Sequence, residues 1–411
     1  MPRLLLSYKD HPFIRSGYGI LVKYLAPLLA KRYGVDNVLI FAPVYQRDHV
    51  GEFEGMKVLP GTSWDFGEPI LLDHYRHYGC DLLIQGGDVW PLGKIPDWAA
   101  QGELIWMHHL PVDWLGLPKN VLYRLRSAHK IIPYSKYGEN ALRQGGLTNV
   151  GKAIWLGLNT ELWKPVPWEE LGSMMNLLGY EDSTYNLLIV AANQERKNIR
   201  ESLEGISLFR KIHPEVPVRL YLHSHMRMER DLLADCDQLG LGDILIYPDP
   251  YIMARGGVSE QEMVKVFSCA DVLLNPSLEG FGLTMTQAQA VGVPVIYLQE
   301  GPGPELIQFG VGIPPMAAIT AANQMSKPIP NPAAIAKALE VIWQRKQEAG
   351  KPPRSERAIQ FVQENFSWEM IAEQWYQAID ELIEERERFC WYIPAPSKEL
   401  QERAKEEMTL L

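Results

Sequence analysis

The chain has 411 residues, of which 46% are apolar and 22% charged. That length allows two α/β domains of ordinary size, and the composition is typical of a globular protein rather than a disordered one. The net charge of −10 argues against tight binding to duplex nucleic acid, because neutralisation of phosphates by basic side chains carries most of that affinity.

Charge distribution, cysteine spacing and hydropathy narrow the class of protein further. Residues 1–165 carry 18 basic and 15 acidic side chains, whereas the remainder carries 22 basic and 35 acidic ones. Cys80, Cys236, Cys269 and Cys390 lack the spacing of metal ligands. No segment reaches the roughly 20 apolar residues that a spanning helix needs. We therefore predict a cytoplasmic protein without a metal site that is neither exported nor membrane-spanning.

Residues 1–165 alternate apolar strands with helices. The strand RLLLSY precedes the loop RSGYG, and a run of helical periodicity follows, in which Pro27 should kink or split the helix. Further buried strands are predicted for NVLIFAP, DLLIQGG, ELIWMHH, KIIPYS and KAIWLGL. This alternation indicates a parallel sheet with crossovers on both faces.

Pro165 and Pro167 interrupt the pattern and indicate an interdomain linker. The same alternation then restarts with the strands NLLIVAA, VRLYLHS, DILIYP, DVLLNPS and VPVIYL. The sequence therefore predicts an α/β protein with domains at residues 1–165 and 166–365, followed by C-terminal helices at residues 366–411.

The segment DVLLNPSLEGFGLTMTQAQAVG combines a strand end, a glycine-bearing loop and a helix start. Free backbone N–H groups and the helix dipole would face an anion there. Glu279, at the mouth of the loop, is expected to accept hydrogen bonds from sugar hydroxyls, and Gln287 is expected within reach of the same ligand. The structural alternatives are a carboxylate that only complements the helix dipole and an amide on the helix surface.

The residue order in this segment resembles that of the retaining GT-B glycosyltransferases, in particular the large nucleotide-sugar-dependent family four. Their pattern is a strand, Pro-Ser, Glu-Gly-Phe-Gly, a second Glu after seven intervening residues, and Gly-x-Pro-Val. The matching positions are Pro276, Ser277, Glu279, Gly280, Phe281, Gly282, Leu283, Gly292, Pro294 and Val295. Gln287 replaces the second acid, and this replacement predicts an altered donor grip rather than a lost activity.

The resemblance extends to about residue 388 and implies a GT-B fold. In that fold two Rossmann-like parallel-sheet domains face each other across a cleft, and a C-terminal helix returns to the first domain. The resemblance implies a catalytic set of four side chains, His109, Glu279, Lys197 and Arg196. It implies donor contacts at Gly17, Gly19, Gly280, Phe281, Gly282, Leu283, Gln287 and Asn193.

Several of these roles also have a physical basis in the residues themselves. Arg196 and Lys197 would neutralise the leaving diphosphate, because basic residues at a helix start oppose the dipole unless an anion is bound. His109 ends a buried strand and would contact the donor sugar, with a satisfied core histidine as the alternative. Asp88 and Asp113 are acceptor-side candidates, and capping of a following helix is the alternative for both.

The resemblance implies a retaining glycosyltransferase that acts by front-face attack and needs no protein nucleophile, metal or cofactor. The alternatives are a catalytically weakened nucleotide-sugar-binding protein and a GT-B epimerase or phosphorylase. The sequence leaves the donor open among UDP-, GDP- and ADP-sugars. It also leaves open the acceptor, the oligomeric state and any peripheral contact with a membrane or nucleic acid. The basic first part mildly favours an anionic acceptor.

Overall fold

The computed structural model describes residues 1–45, 47, 49–61, 68–89, 92–320 and 324–389. The chain divides into two compact units. The first contains residues 1–112, 117–157 and the chain from Trp368, and the second contains residues 113–116 and 158–367. Cys390 and the C-terminal structure predicted for residues 390–411 lie outside the described residues. Within the described ranges, no helix combines the length and the apolar character needed to cross a bilayer.

The described residues of the first unit form one sheet. Its seven strands are β1 (Leu4–Tyr8), β2 (Val38–Ala42), β3 (Gly51–Phe53), β4 (Met56–Pro60), β5 (Leu82–Gly86), β6 (Trp106–Leu110) and β7 (Lys130–Pro133). Their order is β3-β4-β2-β1-β5-β6-β7, and every pair is parallel except β3 with β4. All residues of β1, β2, β5 and β6 are buried, as expected for a sheet covered on both faces.

Among the described residues of the first unit there are six α-helices. In chain order they are α1 (Gly17–Tyr33), α2 (Glu68–His77), α3 (Ile95–Ala100), α4 (Lys119–Leu125), α5 (Lys136–Gln144) and, from the end of the chain, α15 (Trp368–Phe389). Pro27 lies inside α1 without splitting it. The last helix packs on α1, where the Tyr33 hydroxyl donates to Asp380 at 2.9 Å and the Tyr376 hydroxyl donates to the Leu28 carbonyl at 2.7 Å.

The segment KAIWLGL is not the strand predicted from its apolar residues. It follows the edge of β7 as an extended loop, in which Ile154 donates its backbone N–H to the Pro133 carbonyl at 3.0 Å. Ile154 is 3% exposed, so the apolar run reflects burial of a loop against the sheet rather than membership of it.

The second unit contains a parallel sheet and a hairpin. Its strands are β8 (Tyr185–Val190), β9 (Val218–His223), β10 (Leu245–Ile246), β11 (Val272–Asn275), β12 (Val295–Leu298), β13 (Gly310–Ile313), β14 (Pro315–Thr320) and β15 (Ser326–Pro330). The first six form a parallel sheet of order β10-β9-β8-β11-β12-β13, and β14 pairs antiparallel with β15. The predicted α/β class with two Rossmann-like parallel sheets is therefore confirmed.

Nine α-helices lie in the part of the second unit that the structure describes. They are α6 (Gly172–Leu177), α7 (Ile199–Ile212), α8 (Leu232–Gln238), α9 (Pro250–Ala254), α10 (Glu260–Cys269), α11 (Leu283–Ala290), α12 (Gly303–Leu306), α13 (Pro332–Ala349) and α14 (Glu356–Asn365). The strand order places β8 beside β11 at the point where the direction of winding reverses. Open parallel sheets bind ligands at the carboxyl ends of the strands at such a point.

Candidate active site

Four charged side chains meet in the second unit at the carboxyl ends of β8 and β11. Lys197 Nζ lies 2.7 Å and 2.6 Å from the two carboxylate oxygens of Glu279. Arg196 Nη1 lies 3.0 Å from Asp113 Oδ2 and 3.9 Å from Glu279 Oε2. We call Asp113, Arg196, Lys197 and Glu279 the charged cluster. Its two cations and two carboxylates balance each other in formal charge.

The charged cluster is largely shielded from water, which strengthens its internal electrostatics. The side chains of Lys197 and Glu279 are 13% and 12% exposed. Burial alone would raise the pKa of Glu279, but the nearby Lys197 and Arg196 outweigh it and hold that pKa below its ordinary value. Burial lowers the pKa of Lys197, and the Glu279 carboxylate opposes that shift. Glu279 is therefore ionised at neutral pH and acts only as a hydrogen-bond acceptor.

Ser277 connects Glu279 to the end of β11. Its hydroxyl oxygen lies 2.7 Å from both Glu279 Oε1 and Asn275 Oδ1, and its single proton can serve one of them at a time. Asn275 in turn donates through Nδ2 to the Thr284 hydroxyl at 2.9 Å, which links the strand to α11. The loop that carries Arg196 and Lys197 is called the basic loop. The Glu279 carboxylate is therefore oriented by contacts both with the end of β11 and with the basic loop.

Gly282 makes the turn from this loop into α11. Its φ of 103° lies in the left-handed region, and a Cβ added there would stand 2.0 Å from Met285 Cε. Phe281 is buried with its ring 5.9 Å from that of Phe366, so only its backbone remains for a ligand. Gly280 and Leu283 flank this turn, and their predicted donor contacts stay predictions.

Gln287 and Gln289 lie close together on α11 but have different roles. The Gln289 amide is used within the fold: Nε2 donates to the Val293 and Phe309 carbonyls, and Oε1 accepts from two backbone N–H groups. Gln287 is 8% exposed, so it is not the helix-surface amide considered as the alternative. Within the described residues its amide has no hydrogen-bond partner, which leaves it available to a ligand.

Asn193 uses its side chain for hydrogen bonds within the fold, and its predicted donor contact stays a prediction. Its Nδ2 donates to the carbonyls of His225 and Arg230 at 2.8 Å each, and its Oδ1 accepts from the Arg230 N–H at 3.2 Å. The amide therefore joins the loop after β8 to the loop after β9. Sequence alone could not reveal these backbone partners, which are more than 30 positions away.

His109, in the first unit, lies inside an aromatic cluster and is 1% exposed. Its Nδ1 is 2.8 Å from the Tyr8 hydroxyl, and its ring centre is 4.0 Å from that of Tyr134 and 4.7 Å from that of Trp375. Burial lowers its pKa well below the ordinary value, so the ring is neutral. Its burial agrees with the core-histidine alternative, but Nε2 has no hydrogen-bond partner within the described residues, so the ring is not fully satisfied. Contact with a sugar stays a prediction.

The remaining candidates in the first unit lie near the carboxyl ends of β1 and β5. Asp88 lines a recess there together with Lys9 and Tyr18. The Gly19 N–H donates to the Ser16 hydroxyl at 2.9 Å, and a Cβ at Gly19 would stand 2.0 Å from the Ile14 carbonyl oxygen. Gly19 thus has a structural reason within the fold, whereas a Cβ at Gly17 would meet nothing within 4 Å.

One residue of the site was not predicted from the sequence. Asn198, directly after Lys197, is 1% exposed and donates to the carbonyls of Pro276 and Pro328 at 3.0 Å and 3.2 Å. Its φ of 51° is left-handed. The signal in the sequence is an asparagine at a helix start, because asparagine is the non-glycine residue that best tolerates this conformation.

Part of the second unit is similar to a known protein family. Residues 184–344 match the family described as glycosyl transferases group 1, and this stretch contains Arg196, Lys197, Glu279 and Gln287. A D-inositol 3-phosphate glycosyltransferase of Pseudarthrobacter chlorophenolicus is 27% identical over 129 residues, which are 30% of this chain and 28% of that protein. An uncharacterized glycosyltransferase of Methanocaldococcus jannaschii is 28% identical over 163 residues, or 39% of each chain. The chain thus aligns with less than half of the length of these relatives.

Solved structures share the fold over almost the whole chain. A sucrose-phosphate synthase from Thermosynechococcus elongatus has a TM-score of 0.72 at 20% identity, and the match covers 94% of this chain and 100% of that one. The Anabaena protein HepE, solved in complex with UDP and glucose, has a TM-score of 0.67 at 15% identity over 93% of this chain and 100% of that one. The two units therefore have the GT-B fold.

Proposed function

We propose that this chain, whose residues 184–344 match the family described as glycosyl transferases group 1, transfers a sugar from a nucleotide-sugar donor to an acceptor hydroxyl. The observation that supports this most is the placement of Lys197, Arg196 and Glu279 at the carboxyl ends of two adjacent central strands. Two cations and an ionised carboxylate at this edge suit a ligand that carries both phosphates and hydroxyls.

The two cations would bind the diphosphate of the donor. In the free protein Lys197 is paired with Glu279, and Arg196 with Asp113. A diphosphate would replace the carboxylates as the partner of both cations. The two cations would also stabilise the negative charge that develops on the diphosphate as its bond to the sugar breaks. Glu279, released from part of its contact with Lys197, would accept hydrogen bonds from the hydroxyls of the transferred sugar.

The reaction that fits this set of groups is front-face transfer with retention. The bond between the anomeric carbon and the phosphate oxygen breaks, and the acceptor oxygen bonds to the same face of that carbon. The proton of the acceptor hydroxyl passes to the leaving phosphate. The protein then supplies position and charge stabilisation, and neither a protein nucleophile nor a metal takes part.

On the acceptor side we propose the recess beside Asp88 in the first unit. Asp88 and Lys9 offer a hydrogen-bond acceptor and a donor at the carboxyl ends of the two central strands of that sheet. Lys9 is exposed and could pair with an acceptor that carries an anionic group. Asp113, the second acceptor-side candidate, is 6% exposed and paired with Arg196, so it acts through the charged cluster.

A panel of nucleotides tests the donor part of the proposal. Thermal unfolding is followed with UDP, GDP, ADP and their common hexose conjugates, and UDP is tried first because the Anabaena neighbour was solved with it. The best stabiliser is then offered with pooled hydroxylated acceptors, and release of the nucleoside diphosphate and the anomeric configuration of the product are measured. The variant Glu279→Gln serves as the control for background hydrolysis. Failure of every nucleotide to stabilise the protein would contradict the proposal.

A second candidate, a nucleotide-sugar-binding protein with weak catalysis, is favoured by the amide at Gln287. The Gln287 side chain is mostly buried, but its amide has no hydrogen-bond partner among the described residues. We therefore propose that it contacts the ribose hydroxyls, from which an amide and a carboxylate can both accept hydrogen bonds. The variant Gln287→Glu separates the two functions. A large gain in kcat would mean that the native site is impaired, whereas a change confined to the donor KM would mean that Gln287 adjusts donor affinity in an active enzyme.

A further inference from the structure

Asn198 joins the basic loop to α7 in a conformation that few residues adopt. Its backbone is left-handed, with φ 51° and ψ 37°, and it follows Lys197 directly. Its side chain makes no capping bond to α7, although asparagine is a preferred residue at helix starts. Capping of the helix therefore does not explain an asparagine here.

The amide of Asn198 instead connects three segments of the second unit. Its Nδ2 donates to the Pro276 carbonyl at 3.0 Å and to the Pro328 carbonyl at 3.2 Å. Pro276 begins the loop that carries Glu279, and Pro328 belongs to β15. Because Asn198 follows Lys197 directly, these two hydrogen bonds fix the distance between the segment that carries Lys197 and the segment that carries Glu279.

The same network reaches Arg196 through the hairpin. In β15, the Ser326 carbonyl accepts the Leu115 N–H at 2.8 Å, and Asp113, two residues before Leu115, pairs with Arg196. Asn198 thus holds the strand that positions the partner of Arg196, as well as the loop that positions the partner of Lys197. Asn198 itself is 1% exposed.

We propose that Asn198 is the positioning residue that sets both cations for the diphosphate of the donor. The inference rests on the proposed function and adds a residue outside the charged cluster to it. Because Asn198 acts through Arg196 and Lys197, its loss should weaken binding of a diphosphate much more than binding of the corresponding monophosphate. General loosening of the domain would weaken both ligands alike.

Two substitutions of Asn198 test this proposal. Asn198→Gly keeps the left-handed backbone and removes both hydrogen bonds. Asn198→Asp keeps the size of the side chain but turns a carboxylate towards two carbonyl oxygens, which cannot donate to it. The matched control is Asn331→Gly, because Asn331 caps α13 through a hydrogen bond from the Ala333 N–H and lies outside the charged cluster.

The measurement is the Kd of the nucleoside diphosphate, among UDP, GDP and ADP, that most stabilises the wild type, and of the monophosphate with the same base. For Asn198→Gly we expect the diphosphate Kd to rise about tenfold and the monophosphate Kd by less than about twofold. Asn198→Asp should raise the diphosphate Kd further than Asn198→Gly does. Asn331→Gly should lower Tm without changing either Kd. If Asn198→Gly raises the Kd of both ligands by the same factor, or of neither, the role of Asn198 is overturned and the proposed function is unaffected. A wild type that binds no nucleotide would overturn the proposed function and this inference with it.

Discussion

Lys197 and Glu279 are the residues on which the proposed donor site most depends. Each is mostly buried, and each is the main partner of the other. Lys197→Met would remove the point charge offered to a diphosphate and keep the apolar stem. We expect the Kd of the best nucleoside diphosphate to rise by about ten- to a hundredfold, measured by titration calorimetry.

Lys211→Met is the control for that substitution, because Lys211 is exposed and lies near the end of α7. It should leave the Kd of the nucleoside diphosphate unchanged. If Lys197→Met also leaves that Kd unchanged, the diphosphate does not bind at the charged cluster.

The shifted pKa of Glu279 predicts how the stability of the protein depends on pH. The cations Lys197 and Arg196 hold its folded-state pKa below the unfolded value. Its contribution to stability is therefore fully present above the unfolded pKa of about 4.3 and is lost as pH falls through the lower folded pKa. Glu279→Gln removes this contribution, so the difference in Tm between wild type and variant should be largest near neutral pH and shrink below about pH 4. A difference in Tm that stays constant from pH 7 to pH 3 would contradict this account.

At the level of elements, a buried ion pair fastens α13 to the parallel sheet. Lys346 Nζ lies 2.7 Å from Asp271 Oδ2 and donates to the Thr184 carbonyl at 2.6 Å, and the two side chains are 4% and 0% exposed. The same carboxylate oxygen accepts the Asn186 N–H at 2.8 Å. The pair thus connects α13 with the starts of β8 and β11, at the opposite ends of these strands from the charged cluster.

Lys346→Met leaves the Asp271 carboxylate buried without its main counter-charge. We expect the free energy of unfolding to fall by about 3–5 kcal/mol, measured by urea denaturation, because breaking one side of a buried pair strands the other charge. Lys337→Met, at an exposed position of α13, should change it by less than about 0.5 kcal/mol. Nucleotide affinity under native conditions should stay close to wild type in both variants. A small loss for Lys346→Met would contradict this account and would mean that Arg354, whose charge also acts on Asp271, replaces the missing cation.

For the whole molecule, the sequence predicted the fold better than the details of the site. Buried apolar strands alternating with helices are a strong signal, and both parallel sheets follow from it. KAIWLGL was the exception, because burial of a loop against a sheet edge produces the same apolar run as a strand. Within the site, the resemblance grouped Arg196, Lys197 and Glu279 in one catalytic set, and the structure brings these three side chains together. The occupied amide of Asn193 and the bridging amide of Asn198 depend on distant backbone carbonyls, which no local pattern encodes.

The first unit is discontinuous in sequence, which makes its stability depend on the end of the chain. From α15, Trp375 is 1% exposed and its ring lies against His109, while Ile371, Ile379 and Leu382 are fully buried. A protein cut after Gly157, where the longer segment of the second unit begins in the sequence, would therefore lack part of the core of the first unit. Trp375→Ala should lower the free energy of unfolding of the first unit by about 3–5 kcal/mol through the cavity it creates.

Calorimetry can assign that loss to one unit, because a bound nucleoside diphosphate raises the Tm of the unit that holds it. We expect Trp375→Ala to lower the transition that does not respond to nucleotide, and Lys346→Met to lower the one that does. Gln374→Ala, at the neighbouring exposed position of α15, should change the free energy of unfolding of either unit by no more than about 0.5 kcal/mol. If Trp375→Ala lowers the nucleotide-responsive transition by the same amount, the two units unfold as one cooperative body, and the helix stabilises the whole chain rather than the first unit.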